Sequence, residues 1–159
     1  MDALQYEKIS APFRKNVNLI ILTNKALTSI GCISYPLLLL YSFFSNTKQC
    51  IPLLIIPASG FILLTFIRKK INRKRPYEAL EINPIIQKDT KGNSMPSRHV
   101  FSMSIIAFSW FLLSPTVAIF LLLCAIAIAF IRVIGGVHYP SDVCIAIISA
   151  LIWSLLYLL

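Results

Sequence analysis

Acid is what this chain has least of: six Asp and Glu among 159 residues, against fifteen Lys and Arg. Charged residues of both signs make up 13%, about half the share of a typical soluble domain, which excludes an ordinary solvated surface. There are only two histidines, His99 and His138, so any imidazole chemistry has to use them. The four cysteines, Cys32, Cys50, Cys124 and Cys144, form no CxxC pair, and three lie inside apolar runs. They read as small packing residues rather than a zinc site or a disulfide framework. No acids cluster at a spacing suited to Mg²⁺, so neither a metal nor a cofactor is expected. The first 16 residues are polar and amphipathic, unlike a cleavable signal peptide. Internal repeats and low-complexity segments are absent from the sequence.

Apolar residues fill the chain instead: 57% of it is hydrophobic and its mean hydropathy is +0.78. The pattern predicts a single domain over 1–159, an all-α integral membrane bundle of five spans with an N-terminal interfacial helix. The spans fall at 25–44, 51–67, 99–113, 116–134 and 141–158. A sixth crossing arises if the N-terminal segment also dips through the bilayer. Residues 1–24 alternate Leu4, Tyr6, Ile9 and Phe13 with Lys8, Arg14 and Lys15, as in a helix lying on a membrane, interrupted near Pro12. The second span is close to the lower limit of about 17 residues for crossing hydrocarbon. A net charge of +9 would point to nucleic acid in a soluble protein. Here the cations flank apolar spans, so the expected partners are membrane lipids and a phosphate ligand, with no nucleic acid.

The one long polar connection, 68–98, holds nine of the fifteen Lys and Arg. With five spans it shares a membrane face with the 135–140 turn and the N-terminus, while the 45–50 and 114–115 turns lie opposite. Arg75, His99, Arg132 and His138 can therefore converge. Three stretches carry the chemistry. RKKINRKRP, from Arg68, is either a phosphate clamp or a juxtamembrane cluster that sets topology. SMPSRH, ending at His99, precedes an apolar helix. With Ser94 or Met95 as its cap, the N–H groups of Ser97 and Arg98 would be free to bind an anion. RVIGGVHYPSD, from Arg132, has Gly135 and Gly136 to end one helix and Pro140 to start the next. His138 is then in a tight turn with Asp142 about one turn into the following helix, where a carboxylate can hold the second imidazole nitrogen. Cations and helix N–H groups suit a phosphoryl group. One histidine would attack phosphorus and the other would protonate the leaving oxygen, giving a metal-independent reaction through a phosphohistidine.

At these residues the chain resembles the type 2 phosphatidic acid phosphatase (PAP2) superfamily. Arg68 and Arg75-Pro76, with six residues between the two arginines, match its first motif, with arginine in place of lysine. Pro96-Ser97-Arg98-His99 matches the second, with Arg98 in place of glycine. Arg132, His138 and Asp142 match the third, with Ile131 in place of serine. The resemblance implies His138 as nucleophile, Asp142 as its orienting group, and His99 as general acid and then base. It implies Arg68, Arg75, Ser97, Arg98 and Arg132 as phosphate ligands. It also implies a lipid-linked phosphate substrate, of the undecaprenyl diphosphate, phosphatidylglycerol phosphate or phosphatidic acid class. A lipid phosphotransferase using the same site, and a non-catalytic membrane transporter or binding protein, are the alternatives. The 77–93 segment is expected to shape substrate access. The cation bias places the site in the cytoplasm by the positive-inside rule. Bacterial members of the family usually have it outside, and an extracytoplasmic site in the cell membrane is the expectation.

Overall fold

The computed structural model describes residues 1–45 and 47–159, and every regular element among them is helical. Helix α1 (Ala3–Ser10) leads through a 3-10 segment (Ala11–Asn16) into α2 (Val17–Ser45). Helix α3 (Thr47–Ile71), the short α4 (Pro76–Ala79), α5 (Arg98–Trp110), α6 (Pro115–Ile134) and α7 (Pro140–Ser154) follow, and a last 3-10 turn covers Leu155–Leu158. The all-α membrane bundle expected from composition is what forms, with different boundaries. The first span starts at Val17 rather than at 25, and the 1–24 segment is two short helical pieces plus the start of α2. Of the turn expected over 45–50, residues from Thr47 on are helical, and Asn46 lies outside the described residues.

Among the described residues, four stretches are long and apolar enough to cross a bilayer: Ala3–Ser45, Thr47–Ala79, Pro115–Ile134 and Pro140–Leu158. Helix α5 has 13 residues, about 20 Å of rise, short for a hydrocarbon layer of about 30 Å. It is the central helix, packed against both α6 and α7. Val100, Phe101, Met103, Ile105 and Ala107 on it are buried in the main core. The outside of the bundle is apolar too, with Phe44, Ile55, Phe66, Leu123 and Ile152 exposed, as lipid contact requires. Small residues let the helices approach: a Cβ at Gly60 of α3 would lie 2.6 Å from the Trp153 ring of α7.

One of the prolines inside the spans, Pro57, is compensated. Pro57 has no N–H for the carbonyl of Leu53, one turn earlier. Tyr35 of α2 donates its hydroxyl to that carbonyl at 3.1 Å. In lipid no water can do this, so the bond both satisfies α3 and ties it to α2.

At the end of the bundle that carries the polar loop, the chain is strapped down. Arg14 donates to the Asn83 carbonyl at 2.8 Å, and Ile86 N–H to the Gly135 carbonyl at 3.1 Å. Ile86 packs with Ile131 and Val137 in a small second core. Glu78 accepts two bonds from Gly92 N–H, and Tyr77 donates to the Thr90 carbonyl. Gly136 takes φ +75° after the α6 cap, a left-handed conformation that glycine adopts without strain. Tyr6 of α1 is buried against this turn, its hydroxyl 2.9 Å from where a Gly136 Cβ would be. Helix α1 is therefore docked on the bundle end, a firmer attachment than a helix resting on lipid.

Candidate active site

The α6–α7 turn sets the first histidine. Gly135 N–H closes on the Ile131 carbonyl, and the N–H groups of Val137 and His138 both close on the Arg132 carbonyl. Pro140 is the first residue of α7, with Tyr139 as its cap. His138 and Asp142 are 1% and 0% exposed. Asp142 Oδ2 is 3.6 Å from His138 Nδ1, and accepts from Tyr139 N–H at 2.9 Å and from the Ser94 hydroxyl. Ser94 Oγ is itself 3.4 Å from His138 Nδ1. Asp142 Oδ1 takes a bond of 2.7 Å from Arg73. The imidazole thus has Nδ1 turned to a polar wall, which leaves Nε2 as the nitrogen toward the cavity. Burial lowers the His138 pKa to about 4, against the opposing pull of Asp142, so the ring is neutral and its lone pair is available.

That cavity holds about 240 Å³ and is lined by Arg68, Arg75, Arg98, His99 and His138. Five of the eight residues expected at a site thus meet at its surface although they span 70 positions in the chain (138 minus 68). Asp142 sits behind His138. Ser97 and Arg132 do not line the cavity but are buried beside it. Ser97 Oγ and Arg132 Nε have no hydrogen-bond partner among the described residues. Buried polar atoms without partners are rare, and these two lie beside a cationic cavity. Two arginines are held by backbone carbonyls: Arg68 on Pro96 at 2.9 Å, and Arg75 on Gly92 at 3.1 Å and Val137 at 3.2 Å. Each guanidinium has five N–H groups, so donors remain for a ligand.

Two expectations need correcting. The cap of α5 is Ser97, not Ser94 or Met95, and the Ser97 N–H is not free, because it donates to the Asp142 carbonyl at 3.1 Å. Pro96 is consequently outside the helix. That bond ties the start of α5 to the start of α7, so the segment before His99 and the segment after His138 hold each other. Arg73 and Ser94, which fall inside two of the stretches and surround Asp142, and Lys88, which falls in none and lines the cavity, were not among the site residues expected. Among the described residues no group of three or more His, Cys, Asp or Glu is placed to hold a metal ion.

An α-helical bundle with spans long enough to cross the bilayer, which brings two imidazoles and several guanidinium groups to one cavity, defines a multi-pass membrane protein with a cationic cavity. The profile of the PAP2 superfamily matches residues 49–159, and the chain belongs to that family. Two crystal structures share its fold. LpxE of Aquifex aeolicus superposes with a TM-score of 0.78 at 21% identity, over 99% of this chain and 94% of that one. The first transmembrane PAP2-type phosphatidylglycerolphosphate phosphatase, from Bacillus subtilis, superposes at 0.63 with 20% identity, over 96% and 90%. At that identity the likeness is one of fold. No curated protein matches the sequence.

Proposed function

We propose that this protein is a membrane phosphatase that hydrolyses a lipid phosphate or diphosphate through a phosphohistidine on His138. The observation that carries the reading is the pairing of His138 with Asp142 behind it and His99 beside it on one arginine-lined cavity. His138 Nε2 attacks phosphorus and Asp142 holds the ring and stabilises the charge that develops on it. His99, disfavoured as a cation in the empty site by burial and the surrounding cations, takes up a proton together with the anionic phosphate, gives it to the leaving oxygen, and then takes a proton from the water that hydrolyses the intermediate. Arg68, Arg75, Arg98 and Arg132, with the Ser97 hydroxyl, bind the phosphoryl oxygens. The acid closest to the reacting atoms, Asp142, is already occupied by Arg73, Ser94 and Tyr139, which supports chemistry without a metal.

The lipid character of the substrate is supported by an apolar groove of about 580 Å³ whose lining includes Cys32, Tyr35, Phe61 and Met103, and which reaches Arg98 and His99. Undecaprenyl diphosphate, phosphatidylglycerol phosphate and phosphatidic acid all fit this description, and the site is assigned to the extracytoplasmic face.

The test is phosphate release by the detergent-solubilised protein on those three lipids, with EDTA present throughout and His138→Ala in parallel. Release that persists in EDTA and vanishes in the variant supports the phosphatase. Release only when a second lipid is added as acceptor makes it a phosphotransferase. No release, or release unaffected by the substitution, overturns the mechanism.

A further inference from the structure

Two lysines outside the three motif stretches line the cavity, Lys88 and Lys91, and of these Lys91 is exposed whereas Lys88 is partly buried. Lys88, in the loop between α4 and α5, lines the cavity beside Arg98 and His99. It also lines a neighbouring polar hollow with Lys74, Glu78 and Lys91. It is half-buried, and no carboxylate is within ion-pair distance of it among the described residues. Burial, together with the charges of Arg132, Arg75, Arg68 and Arg98, lowers its pKa to about 8. A partly buried lysine under the influence of four arginines is costly unless an anion completes the site.

The cations are not evenly spread. Those acting most strongly on His138 are Arg75 and Arg68, whereas those acting on His99 are Arg132, Lys88 and Arg98. His99 and Arg98 also stand where the apolar groove meets the phosphate cavity, and the Arg98 guanidinium is 5.9 Å from the centre of the Phe61 ring in that groove. The leaving-group side of the site is therefore the side open to the bilayer, and it has cations of its own. An alcohol leaving group needs one proton and departs neutral. A lipid monophosphate departs as an anion and gains from fixed cations beside it in the transition state.

We propose that Lys88 is a substrate-binding residue on the leaving-group side and, with Arg98, makes the site prefer a lipid diphosphate to a lipid monophosphate. This rests on the phosphatase reading above. In the first step a bond forms between His138 Nε2 and the terminal phosphorus. The bridging P–O bond breaks, and its electron pair stays on the bridging oxygen of a lipid monophosphate held by Lys88 and Arg98 and protonated by His99. In the second step water loses a proton to His99 and bonds to phosphorus. The N–P bond breaks, returning its electron pair to His138 and releasing inorganic phosphate.

The experiment compares farnesyl diphosphate with farnesyl monophosphate, which share one chain, in detergent. The wild type has the higher kcat/KM on the diphosphate. In Lys88→Met the ratio of the two kcat/KM values falls about 10- to 100-fold, the range for losing a hydrogen bond between charged groups. Lys88→Arg restores most of the ratio. It also moves the alkaline fall of diphosphate kcat/KM from near pH 8 to higher pH, because arginine stays protonated there. The groups facing position 88 that are common to both variants, Arg68, Arg75, Arg98, Arg132 and His99, do not explain such a displacement, nor do Lys74, Tyr77, Glu78, Asp89 and Lys91 of the hollow. An unchanged thermal unfolding midpoint for both variants excludes misfolding. A ratio that does not move in Lys88→Met, or an alkaline limb that stays put in Lys88→Arg, overturns the role of Lys88 while leaving the phosphatase intact. Release from neither substrate by the wild type removes the phosphatase reading and this one with it.

Discussion

Arg73 Nη1 is 2.7 Å from Asp142 Oδ1, the carboxylate oxygen that faces away from His138. The two oxygens of Asp142 are thus divided: Oδ1 meets Arg73, and Oδ2 meets Ser94, the Tyr139 N–H and the imidazole. Arg73 also donates to Ser141 Oγ at 2.8 Å and lies 4.1 Å from the centre of the Tyr139 ring. It clamps the first turn of α7 from the side away from His138.

This division separates two variants. Asp142→Asn keeps the shape and removes the charge that steadies a charged imidazole. Its kcat is expected to fall by roughly 10²- to 10⁴-fold, in line with other histidine–carboxylate pairs. Arg73→Ala leaves the carboxylate on its other partners, so kcat falls by about 10-fold, with the unfolding midpoint lowered. Steady-state kinetics and thermal unfolding on the two purified variants check this. Equal losses would mean that Asp142 acts only by holding the turn.

The two histidines are expected to differ in their response to the leaving group. His138→Ala removes the nucleophile and abolishes turnover for every substrate. His99→Gln removes a proton donor, a loss of about 10²- to 10⁴-fold for an alkyl phosphate. An aryl phosphate with an acidic phenol leaves without that proton, so the same variant should lose less than about 10-fold in the first step. Rapid-quench measurement of acid-labile phosphoprotein in His99→Gln, using the aryl substrate, reads this directly. Absence of any phosphoprotein would count against the covalent route.

The pH dependence follows from burial of His138. Its pKa of about 4 in the folded protein is below the ordinary histidine value near 6.5. The acid limb of kcat/KM is therefore expected near pH 4, with no loss of the nucleophile between pH 7 and pH 5. Stability shows the opposite window. Between about 6.5 and 4 the unfolded chain binds a proton at this position that the folded one does not, so the contribution of His138 to stability falls as pH falls. A pH–rate profile beside a pH series of unfolding midpoints tests both signs. A limb near 6.5 would place a charged imidazole in the resting site.

Much of this was legible in local spacing. The gap from His138 to Asp142, the glycine pair before it and the proline after it are all settled within one turn of chain, and each behaves as its chemistry dictates. Contacts across long separations were not. Ser94 reaches Asp142 over 48 positions and Arg73 over 69, and no periodicity in the loop marks either. The 77–93 segment was expected to shape substrate access, but nothing in its sequence singles out Lys88, whose place on the cavity depends on a loop tied down through Arg14–Asn83 and Ile86–Gly135. The first span was expected from 25, after an interfacial segment over 1–24, whereas α2 starts at Val17. Asn24 and Lys25 instead line a hollow shared with Asn83 and Gln87 of the loop, so the polar groups are accommodated by protein rather than by lipid.

Sidedness turns on how the cations are counted. Lys8, Arg14, Lys15 and the 68–75 cluster lie at the site end, and Lys48 lies at the other. Counted as free charge, they put the site in the cytoplasm. Arg68 and Arg75 are buried on backbone carbonyls, Arg73 pairs with Asp142, and Arg14 is bonded to the loop. These four side chains are part of the fold, which weakens their bearing on topology and is consistent with the extracytoplasmic assignment. In a background with the four native cysteines replaced by alanine, Gln87→Cys marks the site end and Lys48→Cys the opposite end. A membrane-impermeant maleimide applied to intact cells is expected to label position 87 and spare position 48 until the membrane is permeabilised. The reverse pattern would place the site in the cytoplasm and require a substrate presented on the inner leaflet.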